Sequence, residues 1–355
     1  FSEDNTTEAN DKIVAYMEKL ELVKIVRHHN DINHTSSDGQ KYSIASNIDS
    51  TNAGYSNKYF GADKGVVAYT FIDESNRLFH STVINVSERE SGYVIDGLLH
   101  NETIKSDLHS GDSHSYTELI FGSTNLLGFN FGPRIKNFKD QQLYGFFTPK
   151  YYHTLGYKLT PKRKINTQII EENWDDILRF TTTIKERKTT ATQLLKRLTS
   201  YSKQHKLYTA LKEFGKIIKT DFLLNYIDDV KLRQRIEKQL NKVEASNRFS
   251  KAVFFGNNQE FTVATAEEQN IANNSKRLIQ NAIILWNYLY LTKKLQQAKN
   301  QIEKDEIIIA IKTSSIVHWQ HINFYGTYDF TSYSKRVYNL IAIDKEKEFA
   351  QPSGL

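Results

Sequence analysis

Leu108–Tyr116 reads LHSGDSHSY, and the fold of the whole chain turns on how this stretch is read. Asp112 stands between Gly111 and Ser113, with His109 and His114 close by. Apolar residues at helical spacing (Leu119, Ile120, Leu126, Leu127) follow at once. The pattern predicts a short strand, a turn that carries a carboxylate, and then a helix. Such a turn is narrow enough for a metal ion to approach the side chain. Taken alone, an Asp just ahead of an apolar run is more often a helix cap. Company elsewhere in the chain gives it another meaning.

Upstream, the run from Gly65 to Arg89 holds two β-rich segments around a polar turn at Asp73–Arg77, which predicts a hairpin. Gly92–His100 reads as a short helix. In Ile32–Ile48 the alternation of Tyr42 and Ile44 predicts a strand with Asp38 on or beside it, although Asp38 followed by Gly39 is also an ordinary hairpin-turn pair. Local propensity by itself favours the turn. Residues 1–10 are polar and expected to fray, and Asp11–Val26 has the apolar spacing of one amphipathic helix. Downstream, Phe129–Ile135 (FNFGPRI) reads as a further strand ended by Gly132, Pro133 and Arg134. Strand, hairpin, helix, strand, helix, strand make a mixed α/β domain, antiparallel-prone strands first and helix-separated strands after.

From about Ile165 the period changes to that of helices. Between Lys185 and Lys219 ten Lys or Arg face two Glu, a local excess of +8 against +6 for all 355 residues. Leu194, Leu195, Leu198, Leu207, Leu211 and Phe214 give this block apolar faces, so it is a folded basic unit. Its charge ratio favours contact with phosphate over a merely solvated face. Asp228 and Asp229 open another helix with a stripe of Leu232, Ile236, Leu240 and Val243. Glu244 lies about 40° round from Leu240, on the border of that stripe. Its ordinary role there is an i,i+4 ion pair with Arg248. Asn270–Lys294 is an apolar helix in which Trp286 and Tyr290 read as core. His321–Tyr328 closes the ordered part and Lys345–Leu355 reads as tail.

Composition narrows the chemistry. Lys plus Arg total 47 against 41 for Asp plus Glu, and there is no Cys. Disulfide frameworks and thiolate metal sites are therefore excluded, and any metal must sit on carboxylates or histidines. The longest apolar runs, Ala282–Trp286 and Ile307–Ile311, are too short to cross a bilayer. The expectation is a cytoplasmic protein without membrane contact. With no initial Met, the chain is expected to be a piece of something longer.

Asp38, Asp112 and Glu244 form a set that metal chemistry needs together, since oxygen ligands on separate elements can hold two Mg²⁺ for an in-line phosphoryl displacement. The stretches SSDGQKY (Ser36–Tyr42), FHSTVINVSERESGYVIDGLL (Phe79–Leu99), HSGDSHSYTE (His109–Glu118), LLGFNFGPRI (Leu126–Ile135) and YIDDVKLRQRIEKQLNKVE (Tyr226–Glu244) are followed by AVFFG (Ala252–Gly256), NAIILWNYLY (Asn281–Tyr290) and HINFYG (His321–Gly326). In this order they resemble the C-terminal catalytic region of the Tn-three family of transposases. The resemblance covers nearly the whole chain. It departs at Val243, where the family usually has Gly, and at Gly111 and Ser115, where the family has Thr and Gly.

The resemblance implies an α/β fold, with an RNase H-like mixed sheet and a large helical insertion before its last acidic helix. It implies a lead-in at 1–30, core at 31–139, basic helical insertion at 140–228, core again at 229–300 and a C-terminal region at 301–355. It also implies an Asp-Asp-Glu metal site on Asp38, Asp112 and Glu244, ranked above the nearby Asp31, loaded with two Mg²⁺ or with Mn²⁺ as substitute. The implied activity is 3′-end cleavage and strand transfer in replicative transposition. Transposon-end and target DNA are the implied partners, bound by a homodimer associated with the bacterial nucleoid. Lys185, Arg187, Lys188, Lys196, Arg197, Lys203, Lys206 and Lys212 are the expected backbone contacts, with Arg134 and Arg248 secondary. His109 and His114 are expected to orient a carboxylate or phosphate, or to cap. The rival readings are a nuclease of the same fold that only hydrolyses, and a silent DNA-binding remnant.

Overall fold

A computed structural model describes residues 2–27, 32–101, 103–112, 116–200 and 205–327. Helices α1 (Glu3–Glu18) and α2 (Glu21–Val26) lead into β1 (His34–Ser43). Next come β2 (Gly54–Tyr55), α3 (Asn57–Phe60), the hairpin β3 (Lys64–Asp73) and β4 (Leu78–Asn85), and α4 (Ser91–Leu99). The chain continues through β5 (Leu108–Ser110), α5 (Glu118–Leu126), β6 (Asn130–Phe131), β7 (Tyr144–Gly145), α6 (Pro149–Thr154) and β8 (Arg163–Lys164). It then becomes helical in α7 (Thr167–Glu172), α8 (Trp174–Lys185), α9 (Ala191–Ser200), α10 (Lys206–Asp228), α11 (Val230–Val253), α12 (Ala266–Gln297) and α13 (Gln301–Thr313).

Strand β3, reading KGVVAYTFID, is buried along nearly its whole length, so it belongs in the interior of a sheet. It pairs antiparallel with β1, β4 and the short β2, while β1 pairs in parallel with β5, and β5 in parallel with β6. Asp38 and Gly39 do not form the turn that local propensity favours. They lie inside the ten-residue strand β1, opposite Thr70 and Tyr69 of β3. Non-local pairing on one whole side of β1 outweighs the turn preference of two residues. The FNFGPRI strand is shorter than its pattern, two residues long in β6. Between 140 and 228 helices alternate with one two-residue parallel pair, β7 on β8, which periodicity did not signal.

The N-terminal segment also differs from its expected form. Residues 3–10 are helical rather than frayed, because the Ser2 side chain caps α1 by accepting from the Asn5 N–H and because Thr6 and Asn10 are buried. The single expected helix is broken at Lys19–Leu20 into α1 and α2.

Helix α12 buries an unusual face. It is capped by a reciprocal Thr265–Glu268 box, and Gln269, Asn273, Asn274, Gln280, Asn281 and Asn287 are all among its buried residues. Of these amides Asn273, Asn274 and Asn281, joined by the half-buried Asn270, meet residues of β4. Leu78 N–H donates to Asn281 Oδ1 (3.1 Å), Asn281 Nδ2 donates back to the Leu78 carbonyl (2.9 Å), and Val83 N–H donates to Asn270 Oδ1 (2.8 Å). A free strand edge invites pairing with another chain, and here side-chain amides occupy its backbone groups. Asn281→Ala strips both bonds from a buried backbone unit and is expected to destabilise the protein by about 2–4 kcal/mol. Asn270→Ala, which removes one bond, is expected to cost less than half as much in the same urea titrations.

Candidate active site

Two acids are brought to the same end of the sheet by one short ladder. His34, Thr35 and Ser36 of β1 pair in parallel with Leu108, His109 and Ser110 of β5. Asp38 and Asp112 each lie two residues beyond the Ser36–Ser110 pair, and neighbouring strands run about 4.8 Å apart. The charge of Asp112 is felt at Asp38, so the two carboxylates share one region at this end of the sheet. Asp112 follows the end of β5, and the cap of the helix after it is Thr117, whose hydroxyl accepts from the Ile120 N–H. The helix-cap role that Asp112 has by local pattern is thus filled by another residue.

Below the acids the ladder is locked by buried hydroxyls around His109. Its Nδ1 lies 2.8 Å from Thr35 Oγ1 and its Nε2 2.9 Å from Ser37 Oγ, which in turn sits 2.7 Å from the Tyr69 hydroxyl. Burial first, and then the neighbouring His34, push the His109 imidazole down to about 3, so it is neutral at physiological pH. His109 therefore braces β5 against β1 rather than orienting a carboxylate. His114 and Asp31 lie outside the described residues.

Helix α11 runs along β1 and carries the third acid. Ser36 Oγ donates to the Gln239 carbonyl (3.2 Å), Asn247 Nδ2 donates to Asp38 Oδ2 (2.8 Å), Gln40 Nε2 donates to the Asn247 carbonyl (2.7 Å), and the Tyr42 hydroxyl meets Ser250 Oγ (2.8 Å). Alternate residues of the strand thus meet successive turns of the helix. Glu244 lies between Gln239 and Asn247 and is 47% exposed. Its partner is Arg134, at 3.0 Å from Nη2 to Oε1, instead of the helical neighbour Arg248.

Arg134 is placed by the chain beyond β6. Gly132 N–H donates to the His109 carbonyl (2.8 Å) and Arg134 N–H to the Gly111 carbonyl (3.0 Å), which carries Arg134 alongside Asp112. Its Nε lies 3.7 Å from Asp112 Oδ1 and its Nη1 3.7 Å from Glu237 Oε2. Lys136 Nζ adds a second positive charge 3.8 Å from Asp112 Oδ1.

Sequence reasoning missed one carboxylate here. Glu90, at the N-terminus of α4, reaches over Gly39: a Cβ at Gly39 would fall 2.3 Å from Glu90 Oε1. A glycine in β1 is what admits this close approach. Burial, then the charge of Glu90 and that of Asp112, push the Asp38 carboxyl up to about 6, although the Gly39 N–H works against them. Glu90 lies inside the segment Phe79–Leu99 that carries the family resemblance, but no periodicity or motif singles it out.

The basic block is less open than its count implies. Lys196 pairs with Glu88 (2.5 Å), Lys219 with Glu118 (3.0 Å) and Lys216 with Glu213. Arg187 donates to the Leu99 carbonyl (2.5 Å). Lys185, Lys188, Arg197, Lys206 and Arg248 are exposed and Lys212 is half-buried; Lys203 lies outside the described residues. Lys196, Lys212 and Arg89 share the wall of a groove of about 700 Å³ with Glu88 and Glu118. Trp286, expected in the core, packs half-buried against it, while Tyr290, expected there too, is exposed and stacks on Trp286.

Residues 1–328 match the family described as Tn3 transposase DDE domain. The chain is 36% identical over 331 residues to the transposase for transposon Tn1546 of Enterococcus faecium, covering 93% of this chain and 32% of that protein. It is 36% identical to the transposase for transposon Tn3926 of Escherichia coli (85% and 30%) and 35% identical to that for transposon Tn501 of Pseudomonas aeruginosa (85% and 30%). The chain thus spans about a third of the length of these relatives.

The burial of Asp38 beside other carboxylates has a thermodynamic signature. Its pKa of about 6 lies above the ordinary 3.8, so the folded state holds a proton that the unfolded state has lost. Stability on this account is highest below the ordinary value and falls as pH rises through about 6. Asp38→Asn removes that penalty. In the absence of divalent metal it is expected to raise stability at pH 8 by about 1–2 kcal/mol, after allowance for partial exposure. The gain should vanish below about pH 4, as read from melting temperatures across the range.

Proposed function

The chain belongs to the Tn3 transposase DDE domain family, and from this we propose that it is the catalytic core of a DNA transposase, cleaving transposon 3′ ends and joining them to target DNA. The observation that supports the reading is the equal offset of Asp38 and Asp112 from the β1–β5 ladder, with α11, the helix that carries Glu244, laid along β1 and Arg134 facing both Asp112 and Glu244. The strand order β4-β3-β1-β5-β6, antiparallel on one side of β1 and parallel on the other, supports an RNase H-like core. In that reading 31–139 and 229–300 form the core, 140–228 is a basic helical insertion, 1–30 a lead-in and 301–355 a C-terminal region.

The donors fit a hard divalent cation in kind. Asp38, Asp112 and Glu244 offer oxygen ligands, and the burial and the neighbouring charges of Glu90 and Asp112 that lift the Asp38 carboxyl are penalties a bound cation offsets. Among the described residues no three acids or histidines stand close enough together to hold a metal ion. Two Mg²⁺, or Mn²⁺ in their place, would be held by these three acids and would supply Lewis-acid stabilisation of phosphate oxygens. The chain's own residues do the positioning. Asn247 fixes the Asp38 carboxylate, the His109 network fixes the spacing of β1 and β5, and Lys136 adds positive charge beside Asp112. Phosphoryl transfer asks little covalent chemistry of a protein, so such positioning is the main contribution expected of it.

DNA is the proposed partner, engaged by a homodimer. Lys185, Lys188, Arg197, Lys206 and Arg248, being exposed, are the first candidates for phosphate contact, with Arg187, Lys196, Lys203 and Lys212 beside them. No helix of the described residues is long and apolar enough to cross a membrane.

Glu244→Gln keeps the shape of the side chain and removes its charge. In the intact protein it is expected to abolish strand cleavage, at least a hundredfold in rate, while DNA affinity stays within about twofold. Full cleavage by this variant would reject the assignment and direct the search to Glu237 or Glu90. Joining of the cleaved 3′ hydroxyl to a second duplex separates a transposase from a nuclease that only hydrolyses.

Reversing Lys185, Lys188, Arg197 and Lys206 together is expected to weaken binding to all DNA sequences alike. The salt dependence should flatten by roughly three to four units of slope, because phosphate contacts release counterions and carry no base information. An unchanged slope would mean a merely solvated face.

A further inference from the structure

The guanidinium of Arg134 sits where charge balance would otherwise call for a metal. Three carboxylates converge on it: Glu244 at 3.0 Å, Asp112 at 3.7 Å and Glu237 at 3.7 Å. Two of these, Asp112 and Glu244, are acids assigned above to the metal. Glu237 and Glu244 are seven residues apart on α11, so they stand two turns apart on the same face and reach the same group. The hold extends to the main chain, since Arg134 N–H donates to the Gly111 carbonyl immediately before Asp112.

We propose that Arg134 is an internal competitor of a divalent cation for these acids: its guanidinium binds Glu244, faces Asp112 and Glu237, and must move aside for the acids to close fully on an ion. The inference rests on the reading of Asp38, Asp112 and Glu244 as metal ligands. The guanidinium engages one oxygen of Glu244 and places positive charge beside Asp112, and a divalent cation drawn to the same two acids meets that charge as repulsion, so the two cations compete. Metal therefore binds more tightly to the fraction of molecules in which Arg134 has let go, and apparent affinity falls as that fraction falls. The arrangement keeps like charges together without metal and makes assembly of the site depend on whatever else can draw Arg134 away. Glu237, which is not among the three assigned acids, acts through Arg134 as a positioning residue.

Glu237 gives the proposal a test whose sign differs from simple electrostatics. Removing a negative charge close to a cation site ordinarily weakens metal binding. If Glu237 instead anchors a competitor, Glu237→Gln loosens Arg134 and tightens binding. Mn²⁺ affinity would be measured by electron paramagnetic resonance on the intact protein, without DNA or turnover, for wild type, Glu237→Gln and Arg134→Gln. The expected results are tightening of about threefold or more in Glu237→Gln and about tenfold in Arg134→Gln. Glu237 is about half exposed, so its variant reports even if Arg134→Gln does not fold. Unchanged or weaker Mn²⁺ binding in Glu237→Gln overturns the proposal and leaves the metal-site reading standing, provided the wild type binds. Absence of Mn²⁺ binding in all three proteins overturns both.

Discussion

Three parallel residue pairs, His34–Ser36 on Leu108–Ser110, carry the weight of this structure. Every residue in that ladder except the half-buried Leu108 is buried, and most of them are polar. Such a ladder holds because its side chains satisfy one another: Thr35 and Ser37 grip the two nitrogens of His109, and His34 Nε2 meets Ser110 Oγ at 2.8 Å. A buried network of this type favours one register over its neighbours, since a slip would orphan several polar groups at once. A slip of one residue would also turn Asp38 away from Asp112. The register of a three-residue pairing thus sets whether two acids 74 positions apart in the chain share a site.

Helix packing completes what the ladder begins, and polar contacts do much of it. Helix α11 follows β1 through Gln239, Asn247 and Ser250, and α12 closes the β4 edge through Asn270, Asn274 and Asn281. Apolar packing supplies the larger driving force, through a continuous core running from Val14 to Val317. Directional amide bonds then fix how far each helix slides along its strand. For α11 that distance matters chemically, because a shift of one turn would carry Glu244 about 5.4 Å from its present level.

Charge is arranged in the opposite manner from the surface average. Asp38, Glu90, Asp112, Glu237 and Glu244 gather at one end of the sheet around Arg134 and Lys136, while Lys196, Lys216 and Lys219 of the basic block are drawn into local ion pairs. The local excess of positive charge is real, yet part of it is structural. An acidic centre next to basic helices is the electrostatic layout that the proposed function calls for.

Much of this was legible in the chain. Alternation and turn residues placed the β3–β4 hairpin, helical periodicity placed α8 to α12, and the lack of Cys confined metal ligation to oxygen and imidazole. The ordered series of matching stretches pointed to the family and, through it, to three acids. Those signals are written locally, because secondary structure and composition depend on residues a few positions apart. Partners are another matter. Local rules put Asp38 and Gly39 in a turn, made Asp112 a helix cap, paired Glu244 with Arg248 and gave Glu90 no role. Tertiary structure placed the first pair within a strand, gave the cap to Thr117, gave Glu244 to Arg134, 110 residues away, and set Glu90 over Gly39. The reason is physical: a hydrogen bond or ion pair goes to the group that folding brings into reach in a dry environment, and reach is decided by strand register and helix docking, which no short window of sequence contains.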